Sequence, residues 1–217
     1  MDTKEPALAI AKILLETKAV QISPTQPFRW ASGWLSPIYC DNRVTLSYPA
    51  YRTFIRQQLA HRISSEWGRC DLITGVATAG IPQGVLVAEQ LGLPFAYVRT
   101  KAKDHGTKSL VEGRVEPGSR TVLIEDLIST GSSSLQAAET LRQAGCEVLG
   151  VLSVFTYGFP VAARRFEEAG FRLLSLCSYP ELLESAVDNF YLSAEELNSL
   201  ESWRNQPETW DPVATNS

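Results

Sequence analysis

Thr121-Val122-Leu123-Ile124-Glu125-Asp126-Leu127-Ile128-Ser129-Thr130-Gly131-Ser132-Ser133-Ser134 is the stretch that decides the fold. Thr121–Ile124 reads as a short strand, apolar on both faces. It ends in two adjacent carboxylates. A loop of small hydroxyl residues and one glycine follows, and then a helix from about Ser133 to Ala144, stopped by Gly145. A strand, a small-residue loop and a helix make one half of a βαβ unit.

The same rhythm extends to either side. Asp71–Thr74 is a strand, followed by a Gly-rich loop and a helix through Leu91. Phe95–Arg99 is a second strand, followed by a charged loop to about Gly113. After the Thr121 unit, Cys146–Phe155 is a fourth strand, with a helix from about Pro160 to Ala169. Phe171–Leu176 is a fifth. Apolar strands alternating with helices predict an α/β fold, with a central, mostly parallel five-stranded sheet flanked by helices. Upstream, residues 6–18 and 49–67 have helical spacing. Between them, residues 20–46 are punctuated by Pro24, Pro27, Gly33 and Pro37 and predict small antiparallel strands. Residues 181–205 read as helical. One domain is expected over 1–205, with a small N-terminal β hood at about 20–46, a core at about 49–180 and C-terminal helices at about 181–205. A poorly ordered tail is expected at 206–217.

Composition narrows the function classes. The chain has 217 residues, 44% of them hydrophobic, which is ample for a packed core. A net charge of −4 argues against a protein that coats nucleic acid. That balance is uneven: residues 181–217 carry eight acids and one Arg, whereas residues 99–108 carry four basic groups and one acid. The second segment is a concentrated basic loop suited to one small polyanion. Cys40, Cys70, Cys146 and Cys177 form no C-x-x-C pair, so neither a zinc knuckle nor a redox motif is expected. Lys12 and Glu16 interrupt the first apolar stretch, so no signal peptide or membrane span is expected either. A cytoplasmic location is the expectation.

In open parallel sheets, ligands bind beyond the carboxyl ends of the strands. Three loops there carry chemistry. In the first, Ser129–Ser133 leave backbone N–H groups free to surround an anion, and the helix N-terminus adds its positive end. Glu125 and Asp126 would repel a phosphate, so they face something else, such as a sugar diol or a hydrated Mg²⁺. The motif reads as a site for a phosphorylated sugar. The same residues also suit an ordinary strand–loop–helix turn with a serine cap. In the second, Arg99-Thr100-Lys101-Ala102-Lys103-Asp104-His105-Gly106-Thr107-Lys108, a basic loop would close over a pyrophosphate and neutralise it as it leaves; the plainer reading is a solvated surface loop. In the third, Gly75-Val76-Ala77-Thr78-Ala79-Gly80, small residues let a ligand approach the backbone, and tight packing explains them equally well.

Together these loops resemble the type I phosphoribosyltransferases, and within them the orotate-specific branch. The hood segments Phe28-Arg29-Trp30-Ala31-Ser32-Gly33 and Ser36-Pro37-Ile38-Tyr39-Cys40-Asp41-Asn42-Arg43, the loop Lys101–Gly106 and the stretch Glu125–Ser133 all look like that branch, in the right order. The resemblance covers residues from about 5 to 205. It implies the type I phosphoribosyltransferase fold. The implied reaction is attack of orotate on C1′ of 5-phosphoribosyl 1-pyrophosphate with inversion, giving orotidine 5′-monophosphate in pyrimidine biosynthesis. It also implies Mg²⁺ bridging the pyrophosphate and ribose hydroxyls, and a homodimer whose flexible loop reaches the neighbouring site. No nucleic acid or membrane partner is implied.

By the same resemblance, Lys103, His105 and Asp126 are the catalytic candidates. Arg99, Lys103 and His105 would meet the pyrophosphate. Glu125 and Asp126 would hold the ribose hydroxyls, directly or through Mg²⁺. The stretch Leu127, Ile128, Ser129, Thr130, Gly131, Ser132 and Ser133 would line the ribose-phosphate site, with Ser129 also touching orotate. Main-chain groups near Tyr39 and Cys40 would complete the orotate pocket. The chain departs from better-known members at Thr100, Ala79, Trp34–Leu35 and Tyr157, where they carry Lys, Lys, a hood lysine and an orotate-contacting Arg. The hood argues against a purine-specific relative. The Lys103/His105 loop argues against a regulator that binds phosphoribosyl pyrophosphate without turnover.

Overall fold

The computed structural model describes residues 4–30, 33–99 and 110–211. The chain divides into two compact units: Leu46–Ser178, and Met1–Thr45 with Tyr179–Ser217.

The larger unit is the expected α/β architecture. It opens with the helix Pro49–Trp67, which starts on Pro49 at a helix position where no N–H is needed and ends at Gly68 with φ +66°. We label the elements in chain order across both units, so this helix is α2. Strands β5 (Leu72–Val76), β6 (Phe95–Val98), β7 (Val111–Glu112), β8 (Arg120–Ile128), β9 (Glu147–Thr156) and β10 (Leu173–Ser178) form one sheet in the order β10-β9-β8-β5-β6-β7. All neighbouring pairs are parallel except β6–β7. The sheet therefore has six strands, not the five expected. The sixth, β7, holds only two residues, too few to display a two-residue period in the sequence.

Helix α3 (Gly80–Leu91) packs on β5 and β8, and α2 packs on α3 and β9. Helix α4 (Ser132–Gln143) packs against β8 and β9 and meets α5 (Pro160–Glu168). Val76, Leu123, Ile128, Val151, Leu141 and Phe166 share one core. Gly150 has no room for a side chain, because a Cβ there would lie 2.6 Å from the Trp67 ring. β5 and β8 are buried along their apolar length, as a sheet sandwiched between helices requires.

The smaller unit contains α1 (Lys4–Glu16), the pairs β1 (Val20–Ile22)–β4 (Ile38–Cys40) and β2 (Phe28–Arg29)–β3 (Leu35–Ser36), α6 (Tyr179–Asp188) and α7 (Ala194–Asn205). α1 packs on α6. The expected helical region 181–205 is thus two helices, the second opened by a capping box between Ser193 and Glu196. Tryptophans tie the hood strands to α7. Trp203, fully buried, donates from Nε1 to the Leu35 carbonyl at 3.0 Å. Its ring meets Trp30 edge-on at 5.5 Å, and Trp34 stacks on Trp30 at 6.3 Å. The Trp34–Leu35 departure is therefore part of this unit's internal packing.

Candidate active site

The register of β8 builds the site. Its residues Thr121–Ile124 pair with Leu72–Gly75 of β5, and the pairing with β5 stops there. The strand continues to Ile128, paired only with β9: Glu125 opposite Ser153, Leu127 opposite Phe155 and Ile128 opposite Thr156. Both carboxylates therefore sit inside the strand, not after it. An acid pair after an apolar run resembles a strand end, which is why the expected strand stops at Ile124, short of the observed one. Chain order reverses at β5 and β8: β5 leads outward to β6 on one side and β8 to β9 on the other. Such a switch point opens a crevice at the carboxyl ends of the two strands.

α3 closes in on the same place. A Cβ on Gly80 would lie 2.4 Å from the Ile124 carbonyl oxygen and 3.4 Å from Glu125 Cα, and a Cβ on Gly75 would lie 2.9 Å from the Gly80 oxygen. Tight backbone packing accounts for both glycines of the third loop. Between them, Thr78 is exposed, Ala77 donates its N–H to the Val98 carbonyl at 2.8 Å, the Ala77–Thr78 peptide is cis, and Ala79 caps α3.

The two acids are not equivalent. Glu125 is only 5% exposed. Its Oε2 accepts from Ser134 Oγ at 2.9 Å and its Oε1 from the Asp126 N–H at 3.1 Å. Burial, then the neighbouring Asp126 charge, push the Glu125 carboxyl well above the usual carboxylate range. Asp126 is half-buried. Ser134, itself 1% exposed, did not stand out in a run of three serines; only its position two residues into α4 aims it back at β8. Replacing Ser134 by Ala leaves the buried Glu125 oxygen without its donor and is expected to cost about 1–3 kcal/mol of unfolding free energy. Urea denaturation measures it, and an unchanged midpoint would contradict the strap between β8 and α4.

The loop after β8 has the form an anion needs. Gly131 caps α4 with φ +77°, and a Cβ there would lie 2.7 Å from Phe166 Cε2, so backbone conformation and packing both require glycine. No side chain caps α4, and its first turn carries no acid. The hydroxyls of Ser129 and Ser133 have no hydrogen-bond partner among the described residues. Thr130 Oγ1 and Ser132 Oγ lie 3.3 Å apart. Leu127 is half-buried, whereas the Ile128 side chain is in the core and its carbonyl accepts from Tyr157 N–H, so Ile128 can offer a ligand its backbone only. Arg165 on α5, which the sequence did not single out, donates to the Thr130 carbonyl at 3.3 Å and to Ser132 Oγ at 2.8 Å.

At the sheet edge, Arg99 donates its N–H to the Leu110 carbonyl at 2.8 Å, and its guanidinium lies 3.4 Å from Glu112. Both ends of the basic segment are thereby held together. Thr100, Lys101, Lys103, His105 and Lys108 lie outside the described residues. Tyr157, at the last departure from the family pattern, is buried between Phe155 and Phe159, with ring centroids 5.3 and 5.5 Å away. Among the described residues, no three His, Cys, Asp or Glu side chains cluster to cage a metal ion, and no helix is long and apolar enough to cross a membrane.

A mostly parallel sheet thus carries a carboxylate pair, an uncapped helix start and a hydroxyl loop at its switch point, where sheets of this kind bind their ligands. The phosphoribosyl transferase domain family matches residues 52–166, and the chain belongs to that family. Within it, the chain groups with orotate phosphoribosyltransferases. It is 54% identical to the one from Porphyromonas gingivalis over 201 residues, which is 93% of this chain and 96% of the relative. It is 50% identical to the one from Cytophaga hutchinsonii over 96% of this chain and 98% of the relative. The crystal structure of orotate phosphoribosyltransferase from Aeropyrum pernix superposes with a TM-score of 0.74 at 30% identity, covering 85% of this chain and 99% of that one.

Proposed function

We propose that the chain is an orotate phosphoribosyltransferase acting in pyrimidine biosynthesis. A ring N–H nitrogen of orotate forms a bond to C1′ of 5-phosphoribosyl 1-pyrophosphate, the C1′–oxygen bond to pyrophosphate breaks, the nitrogen's proton passes to the departing pyrophosphate, and orotidine 5′-monophosphate and pyrophosphate result. The observation that carries this reading is the Glu125–Asp126 pair on the reach of β8 that pairs with β9 alone, beside the Thr130–Ser133 loop, in a chain 54% identical to an enzyme of that name.

The transition state places positive charge on the ribose and negative charge on the departing pyrophosphate. Lys103 and His105, with Arg99 at the base of their loop, stabilise the pyrophosphate. Closure of that loop excludes water from the ribosyl cation. Asp126 orients the ribose hydroxyls, and Glu125 backs it through the Asp126 N–H. Thr130, Gly131, Ser132 and Ser133 hold the 5′-phosphate with backbone N–H groups and hydroxyls, at the positive end of α4. The hydroxyl of Ser129 faces the base. The half-buried Asp126 carboxylate is the one that would hold Mg²⁺ together with the substrate, since that ion takes one or two carboxylates and completes its shell with phosphates and water, whereas both oxygens of the buried Glu125 are already bonded within the protein. When bound, Mg²⁺ neutralises the leaving pyrophosphate. The enzyme works in the cytoplasm as a homodimer with shared sites.

Shared sites make a specific prediction. Lys103→Ala and Asp126→Asn chains, each inactive alone, regain roughly a quarter of the wild-type activity when mixed and allowed to exchange subunits, because half of the dimers are hybrids with one intact site. No recovery in verified hybrid dimers would overturn the shared site. Loss of orotate absorbance on adding phosphoribosyl pyrophosphate and Mg²⁺ tests the activity itself.

A further inference from the structure

Arg165 belongs to no part of the site as derived above, yet it grips the phosphate loop. Its Nη1 bonds both the Thr130 carbonyl and Ser132 Oγ, one residue on either side of Gly131. It is exposed and forms no ion pair among the described residues. Two consequences follow from counting donors. Ser132 Oγ accepts from Arg165, so its own O–H is left to donate, either to Thr130 Oγ1 at 3.3 Å or to a ligand. Nη1 spends its two hydrogens on the loop, so the N–H of Nε and both hydrogens of Nη2 have no partner among the described residues.

The setting makes that charge useful. α5 begins at Pro160, and its buried Ala162 and Phe166 pack in the core shared with α4. Phe166 lies against Gly131. Arg165, next to Phe166, is therefore carried on a rigid element rather than on a loop, and its guanidinium is held where a phosphate bonded to Ser132 would arrive. A guanidinium with spare donors and no carboxylate partner is matched to phosphate in charge and geometry.

We propose that Arg165 is a positioning residue of the 5′-phosphate subsite: it orients the Ser132 hydroxyl and adds an unneutralised positive charge beside the uncapped start of α4. This rests on the phosphoribosyl reading of the site. Arg165 does not touch the reacting C1′, so its effect falls on capture of the ribose phosphate and not on the chemical step.

The test compares wild type, Arg165→Gln, Arg165→Ala and Arg165→Lys by calorimetric titration with ribose 5-phosphate and, separately, with pyrophosphate. Loss of one charge-assisted contact predicts a Kd for ribose 5-phosphate raised about 10-fold in the Ala and Gln variants and partly restored by Lys. The Kd for pyrophosphate stays within about twofold, and KM for phosphoribosyl pyrophosphate rises while kcat holds. The affinity of the Ala and Gln variants for ribose 5-phosphate also falls less steeply with added salt. Unchanged ribose 5-phosphate binding in the variants would overturn the role of Arg165 alone. An equal loss for pyrophosphate would do the same, since it would reduce Arg165 to a general field or to fold stability. Failure of the wild-type enzyme to bind ribose 5-phosphate would overturn the phosphoribosyl reading together with it.

Discussion

Replacing Lys103 by Ala is expected to lower kcat by about 10²- to 10³-fold, the range for removing one positioned donor from a developing negative charge. Binding of ribose 5-phosphate should change little. In the proposed role the ammonium acts on the pyrophosphate as it departs, so its contribution would grow from ground state to transition state, and that difference would appear in kcat rather than in uniform binding. Arg99 sits at the mouth of the same segment, anchored to Leu110 and Glu112 at the sheet edge. Steady-state kinetics with orotate saturating separate the two parameters. A kcat within about threefold of wild type would remove Lys103 from the chemistry.

Gly80→Ala should damage both stability and activity, although it adds a single methyl group. That methyl would lie 2.4 Å from the Ile124 carbonyl oxygen, and the nearby atoms belong to backbone, which cannot swing aside. Either α3 lifts away from β8 or the end of β8 shifts. Overpacking of this kind costs about 1–3 kcal/mol. The displaced residues are those next to Glu125 and Asp126, and a misplacement of about 1 Å can cost about 10²-fold in rate. We therefore expect a lower denaturation midpoint together with about a 10²-fold fall in kcat/KM. Gly92→Ala is the control: Gly92, unlike Gly80, has a positive φ of +65°, but a Cβ there meets nothing, so the variant should lose some stability and keep its rate. Equal kinetics for the Gly80 and Gly92 variants would contradict the contact.

Much of this was legible in the sequence because the signals were local. Helix α2 was bounded correctly, since Pro49 opens it and Gly68 follows it. The core strands announced themselves through apolar runs closed by turn residues. What was not legible depended on partners distant in sequence. The length of β8 is set by β9, which keeps pairing with it after β5 has stopped. Glu125 and Asp126 look alike as neighbours, but successive strand residues point to opposite faces, so one enters the packed layer under α4 and the other stays half-exposed. Trp34 stands where the family carries a hood lysine; its stacking on Trp30 is local, but Trp203, which meets the same Trp30 ring, comes about 170 residues later and has no local signal. Arg165 had no signal beyond a pair of adjacent arginines, because its meaning lies in the loop it reaches from α5.

The central claim is that this chain transfers phosphoribose to orotate, and one assay addresses it most directly. Purified protein is mixed with orotate, phosphoribosyl pyrophosphate and Mg²⁺, and orotate absorbance is followed while pyrophosphate release is measured in the same sample. Orotate should be lost and pyrophosphate should appear in equal amounts, with no turnover when adenine, guanine or hypoxanthine replaces orotate. Tight binding of phosphoribosyl pyrophosphate without loss of orotate, or turnover of a purine in its place, would contradict it.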